Sequence, residues 1–387
     1  MLHPRESGVL VNLAFLSQRP TGHTNYAMQV LPYLAALQPT ILAPAAQLAS
    51  LPELAELAEL AELDHRERPE ATPPQKYPGI PIADNMTPDQ GAWGHLRRLA
   101  WTQLQLPALY HATNARLLFS PIPEAPLYTD CRFVVTVHDL IPLRFGGRFS
   151  RLAAYFRHYV PRVLHQATHI LCNSQATVQE VQTTFGIPAH KLTATPLGYN
   201  DRHFRYQDLP TANYFLYLGR PDRHKNLPRL IKAFAALGQH DCELWLAGPP
   251  DRRYTPALQA QVAALHLQDR VKFLDYIPYA DLPQLLGQAI ALVFPSLYEG
   301  FGLPVLEAMA CGTPVITSNC SALPEVAGDA ALLVNPYVEG EITAAMQVVW
   351  DDAYLRSRLR QAGLARVQAF SWAKTGAATI AVLQQYV

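Results

Sequence analysis

The chain has 387 residues, 49% of them apolar and only 16% charged, which leaves room for two hydrophobic cores and argues against extended disorder. Lysine plus arginine equals aspartate plus glutamate at 31 each, so there is no basic field to draw the chain to nucleic acid. Five scattered cysteines, with no C-x-x-C pair, indicate neither a disulfide framework nor a thiolate zinc site and fit a reducing cytoplasm.

Along the chain, short β-rich runs alternate with helix-patterned stretches. The runs are VLVNLAF from Val9, FVVTVHD from Phe133, HILCNS from His169, YFLYLG from Tyr214, ELWLAG from Glu243, ALVFPS from Ala291 and PVITSN from Pro314. Continuous Val, Ile, Leu and Phe in such runs predict parallel strands buried on both faces, hence a doubly wound α/β class. After the first run, ELAELAELAEL, ending at Leu63, has a three-residue period that drifts around a helix and predicts a surface helix without chemistry. Arg66 to Pro88 is rich in proline and predicts a long loop at the rim of the first domain, the kind of loop that often binds a ligand.

WGHLRRLAWTQLQL from Trp93 has a basic, aromatic helical character, compatible with touching a lipid surface and equally with packing on its own domain. His158, His165 and His169 are spaced by seven and four, but no carboxylate or cysteine completes a set and His169 opens a strand, so no metal is expected. Thr195 to Tyr214 is polar and aromatic with two prolines and precedes a fresh strand, so the domain junction is placed near residue 200. FSWAKTGAATIAVLQQYV from Phe370 predicts a helix with Ser371 as N-cap, running to the end of the chain. No apolar segment reaches the ~18 residues a membrane span needs, and no N-terminal export signal is visible.

The chemistry concentrates in FPSLYEGFGLPVLEAMACGTPVI, from Phe294 to Ile316: a strand, a glycine-containing loop, a helix opened by Pro304 and closed by Gly312, then another strand. A helix N-terminus behind Gly300 and Gly302 offers free N–H groups and the positive end of the helix dipole to an anion, most naturally phosphate. Glu299 and Glu307 flank that site and suit hydroxyl groups. A second constellation, LYLGRPDRHKNLPRLIKAF from Leu216, places Arg220 and Lys225 across a tight turn where both can meet one diphosphate.

At these residues the chain resembles the family 4 retaining glycosyltransferases of GT-B fold. The likeness is carried by the E-x7-E spacing of Glu299 and Glu307 in EGFGLPVLEAMACGTPVI and by GRPDRHKN. VVTVHDLIPLRF from Val134, CNSQATVQEV from Cys172, the terminal FSWAKTG, and TGHTNY from Thr21 in place of the family's glycine-rich first loop carry it more loosely. The resemblance implies two Rossmann-like domains, doubly wound with parallel sheets, facing a central cleft. Residues 1–200 would form the acceptor-side domain, 201–370 the nucleotide-sugar domain, and 371–387 a helix crossing back to the first.

By the same resemblance, Arg220 and Lys225 bind the donor diphosphate and stabilise the charge that builds on it, and Glu307 accepts hydrogen bonds from the ribose hydroxyls. Glu299 holds a hydroxyl of the transferred sugar. Gly219 and the backbone of Gly300, Phe301, Gly302 and Leu303 lie against sugar and phosphate. His138 reaches the sugar from the acceptor domain, and Gly22 admits the first loop to the diphosphate, although TGHTNY has one glycine where the family has a cluster.

The resemblance also implies that the anomeric configuration is kept, without a metal or other cofactor. VHDLIPLRF resembles the mannosyl branch, which implies GDP-mannose as donor, while UDP-glucose or another UDP-sugar fits the same motifs. The resemblance leaves the acceptor open among a glycan, a lipid-linked glycan, a protein and a small molecule, and the implied location is the cytoplasm or the inner face of a membrane. A nicotinamide oxidoreductase needs a G-x-G-x-x-G after an early strand, and the chain has none. A non-catalytic nucleotide-sugar-binding subunit is the remaining alternative.

Overall fold

A computed structural model describes residues 8–17, 21–48, 51, 78–147, 150–239 and 241–387, which form two compact units, Met1–Gly198 with Trp372–Val387 and Tyr199–Ser371. Both are Rossmann-like, with every recorded strand pairing parallel. The ELAELAELAEL segment lies outside the described residues.

Unit 1 carries strands β1 (Val9–Asn12), β2 (Thr40–Pro44), β3 (Gly79–Ile82), β4 (Leu117–Ser120), β5 (Phe133–Val137), β6 (His169–Cys172) and β7 (Leu192–Ala194) in the order β3-β2-β1-β4-β5-β6-β7. β1, β2, β4, β5 and β6 are buried along their whole length, because helices cover both faces of a parallel sheet. The stretch Arg66 to Pro88, expected as a loop, contains β3. Its Pro81 is tolerated because β3 is the edge strand, where one side of the ladder has no partner to lose.

Unit 2 carries β8 (Tyr214–Leu218), β9 (Glu243–Ala247), β10 (Val271–Leu274), β11 (Ala291–Phe294), β12 (Val315–Ser318) and β13 (Leu332–Val334) in the order β10-β9-β8-β11-β12-β13. The order runs outward from β8 in one direction and from β11 in the other. The gap between the C-terminal ends of β8 and β11 is therefore the topological switch point, the usual ligand crevice of open α/β sheets.

The last helix, Trp372–Leu383, belongs to unit 1 and stops four residues short of the predicted end. Trp372 is buried, Thr375 Oγ1 donates to the Pro196 carbonyl at 2.7 Å, and a Cβ at Gly376 would sit 2.2 Å from the Tyr33 ring. Only glycine allows this helix so close to the turn at Leu31–Leu37. Among the described residues no helix is long and apolar enough to cross a membrane. On the helix Gly91–Leu104, Trp93, Leu96 and Leu104 are exposed, while Arg98 and Trp101 are buried.

Candidate active site

In unit 2, two loops meet at the switch point. The first follows β8: Gly219 has φ +139, and Gly248 at the end of β9 has φ +150 with a hypothetical Cβ 2.2 Å from the Gly219 carbonyl oxygen. Two glycines are needed because the backbones touch. A short 3-10 turn, Arg223–Lys225, then leads to the helix Leu227–Ala235.

Asn226 joins turn and helix in the left-handed conformation, φ +64, which asparagine tolerates better than most residues. Its buried amide donates to the carbonyls of Pro295 at 3.1 Å and Pro336 at 2.7 Å. The turn is thereby tied to the end of β11, and Lys225 is held within it.

The second loop follows β11. Glu299 is 8% exposed; its N–H donates to Ser321 Oγ at 2.9 Å. Gly302, φ +124, is the N-cap of the helix Leu303–Ala310, with Pro304 in the first turn, Cys311 at the C-cap and Gly312 beyond it at φ +77. A Cβ at Gly302 would come within 2.8 Å of Leu323, so the loop packs tightly against its neighbour. Phe301 is buried edge-on against Phe370 and anchors this turn.

The structure joins the two loops by an ion pair: Lys225 Nζ lies 2.6 Å from Glu299 Oε1, with side chains 15% and 10% exposed. The ammonium also sits 4.9 Å above the Phe294 ring. Arg220 is exposed and faces Asp251 at 3.3 Å and Asp222 at 3.9 Å, while Arg253 contacts the same two carboxylates. The two predicted cations thus each have an acidic partner. Hydrogen bonds from Arg253 hold the Asp251 carboxyl well below the usual carboxylate range.

Glu307 lies one turn into the helix and is part-buried, and no hydrogen bond or ion pair engages its carboxyl among the described residues. Burial pushes its pKa up to about 7. A desolvated carboxyl without a partner is costly, and donors such as vicinal hydroxyls would relieve it.

In unit 1, His138 directly follows β5, and Asp139 Oδ1 caps the next turn by accepting from Ile141 N–H at 2.9 Å. His138 is buried, and Nε2 is 2.8 Å from the Pro121 carbonyl, an acceptor, so Nε2 carries the proton and Nδ1 can only accept. Burial, with a smaller effect of His23, lowers its pKa to about 3. The rings of His23 and Tyr26 lie 4.7 Å from it. Gly22 opens the helix Gly22–Val30 behind the cap Thr21; it is exposed, and a Cβ there would meet nothing within 4 Å, so packing within unit 1 does not require glycine.

Sequence reasoning passed over Asp222, Asp251, Arg253, Asn226 and Ser321. Asp222 and Asn226 stand inside the GRPDRHKN motif, where only a view of their partners separates them from ordinary turn residues. The others sit in separate loops and carry no motif. His158, His165 and His169 form no metal-ligand group among the described residues. The group that does occur, His111, Asp130 and Cys131, lies in unit 1, with His111 and Asp130 already hydrogen-bonded at 3.0 Å.

Comparison with known proteins agrees with this architecture. The model described as Glycosyltransferase Family 4 matches residues 20–203, and the model described as Glycosyl transferases group 1 matches residues 200–366. The O-antigen chain mannosyltransferase B of Escherichia coli is 33% identical over 305 residues, covering 74% of this chain and 77% of that protein. The O-antigen chain mannosyltransferase RfbU of Salmonella typhimurium is 31% identical over 256 residues, covering 65% and 71%. The solved structure of sucrose-phosphate synthase from Thermosynechococcus elongatus superposes with a TM-score of 0.70 at 20% identity, covering 97% of this chain and 98% of that one, which speaks for the fold. With two Rossmann-like units, an E-x7-E helix at the switch point of the second, and relatives of this identity along most of its length, the chain belongs to the family 4 glycosyltransferases of GT-B fold and is a glycosyltransferase.

Proposed function

We propose that the chain is a retaining mannosyltransferase that moves mannose from GDP-mannose to a hydroxyl of a glycan or lipid-linked acceptor. The observation that carries the donor site is the Lys225–Glu299 ion pair beside the capped but side-chain-free helix start at Gly302. A nucleoside diphosphate brings two anionic phosphates that Lys225, Arg220 and the helix N–H groups can receive, and it brings ribose hydroxyls that the unpartnered Glu307 carboxyl can accept. The mannosyl assignment is supported by the two O-antigen mannosyltransferases among the relatives.

As the glycosyl bond breaks, negative charge gathers on the leaving diphosphate. Arg220 and Lys225, already fixed by carboxylates, stabilise it without having to reorganise. Lys225 then exchanges part of its contact with Glu299 for phosphate, which releases Glu299 to accept from a sugar hydroxyl. His138 offers Nδ1 as an acceptor for another sugar hydroxyl. The leaving phosphate takes the acceptor's proton, the new bond forms on the face the phosphate leaves, and the configuration is kept. No metal ion is invoked.

The test is turnover by the purified chain with GDP-mannose, UDP-glucose and UDP-galactose, each with and without a chelator, followed by determination of the product's anomeric configuration by NMR. Transfer from GDP-mannose with retention supports the proposal. Transfer from UDP-sugars alone would overturn the mannosyl donor, inversion would overturn the chemistry, and binding without turnover would favour a non-catalytic subunit.

A further inference from the structure

Beside the switch point, unit 2 has a hollow that borders the loop after β8. It lies between the C-terminal ends of β8, β9 and β10 and the helix Thr255–Ala264, an open-mouthed hollow with a cavity volume of about 70 Å³. Its walls are apolar, from Leu246, Pro249, Leu258 and Phe273, and Gly219 forms part of its lining directly before Arg220. A planar ring seated here would hang from the same loop that meets the diphosphate.

Two polar side chains of the lining, Asp275 and Gln259, engage no hydrogen bond or ion pair among the described residues. Asp275 stands at the first position after β10, exposed at the mouth. An ionised carboxylate is acceptor-only, with two oxygens side by side, and it is matched by two adjacent donors on one ligand edge. Among the common bases only guanine presents that pattern, N1–H next to the exocyclic N2 amine. Uracil has a single N3–H flanked by two carbonyl oxygens, which a carboxylate repels. Adenine and cytosine set their amine beside a ring acceptor. The Gln259 amide can supply the donor that guanine O6 accepts.

We propose that Asp275 is the specificity-determining residue that selects guanine over the other bases of a nucleoside diphosphate in this hollow. This rests on the assignment of unit 2 as the donor-nucleotide unit and deepens it. A bidentate carboxylate contact to a base edge discriminates roughly 10- to 100-fold against the wrong base.

The experiment is calorimetric titration of the full chain with GDP, UDP, ADP and xanthosine diphosphate, on wild type, Asp275→Asn and Lys225→Ala, with melting temperatures as a folding control. Xanthine carries a carbonyl at C2 where guanine carries the amine, so an amide at position 275 should reverse the preference. The expected result is wild type preferring GDP, and Asp275→Asn binding GDP roughly 10- to 100-fold more weakly while gaining xanthosine diphosphate, a gain that misfolding cannot produce. Unchanged base preference in Asp275→Asn, with GDP binding still lost in Lys225→Ala, overturns the role of Asp275 and leaves the donor site standing. A wild type that prefers UDP overturns both the role of Asp275 and GDP-mannose as donor. Binding of no nucleotide overturns the donor site itself, and this proposal with it.

Discussion

Lys225 and Glu299, 74 residues apart in the chain, meet at 2.6 Å across the switch point of the second sheet. The contact is built from both sides. Asn226 pins the lysine's turn to the Pro295 and Pro336 carbonyls, and Ser321 Oγ receives the Glu299 N–H. A mostly buried ammonium is costly to leave without an anion, and Glu299 supplies that anion.

Removing one partner should therefore separate stability from catalysis. Glu299→Gln and Lys225→Ala are each expected to cost about 1–3 kcal/mol, because a mostly buried charge or acceptor is stranded. The double variant Lys225→Ala/Glu299→Gln should be less destabilised than the sum of the two. Activity should not recover with stability: kcat should stay down about 100-fold or more wherever Lys225 is absent, since its charge is required in the transition state. Denaturant melts and steady-state kinetics on the four proteins decide this, and a double variant with restored kcat would remove Lys225 from the chemistry.

Glu307 makes a pH prediction. Its pKa is raised from 4.5 to about 7 by burial, so the folded protein holds this proton more tightly than the unfolded chain. The associated stability is present in full below about 4.5 and is lost as pH rises through 7, by about 2 kcal/mol after allowance for partial exposure. Glu307→Gln should match wild type in melting temperature near pH 4.5 and exceed it near pH 8.5. Donor nucleotide affinity should rise with pH through 7 in wild type, where the ionised carboxyl is the better acceptor, and be weaker and flat in the variant. An equal melting difference at both pH values would rule out the burial effect.

The α/β class, and seven of the thirteen strands, were legible because runs such as FVVTV and ALVF are continuous and fully buried. β7 and β13 have only three residues each, β10 is largely part-buried, and β3 carries Pro81, so none of them separates from a loop by pattern alone. In the site, Glu299 and Glu307 could be singled out because glycines and a helix start surround them. Asp251 could not, because its link to Arg220 spans 31 residues and exists only once β8 and β9 lie side by side. Which cation pairs with which carboxylate is a property of the folded loops, and motif spacing alone does not carry it.

His138 should act as a neutral group throughout the working range. Its pKa is lowered to about 3, chiefly by burial and then by His23, so it stays uncharged in the fold while the unfolded chain protonates near 6.5. The folded state therefore loses stability as pH falls from 6.5 towards 3. An NMR titration should show no His138 shift between pH 4.5 and 8. His138→Gln should lower kcat about tenfold, the worth of one hydrogen bond, without moving either limb of the rate profile. A limb that disappears in the variant would identify His138 as a titrating acid or base.

Two glycines give opposite expectations. Gly248→Ala forces a side chain onto φ +150 with its Cβ 2.2 Å from the Gly219 carbonyl oxygen, a backbone atom that cannot turn aside. The cost should be about 2–4 kcal/mol, from backbone strain and overpacking together. At Gly22 a Cβ meets nothing within 4 Å, so Gly22→Ala should change stability by no more than about 0.5 kcal/mol. Gly22 then becomes a clean probe of ligand approach. If kcat/KM falls in Gly22→Ala while the melting temperature holds, the missing side chain serves a bound donor. If both are unchanged, the first loop does not need its single glycine, and Gly22 leaves the proposed site.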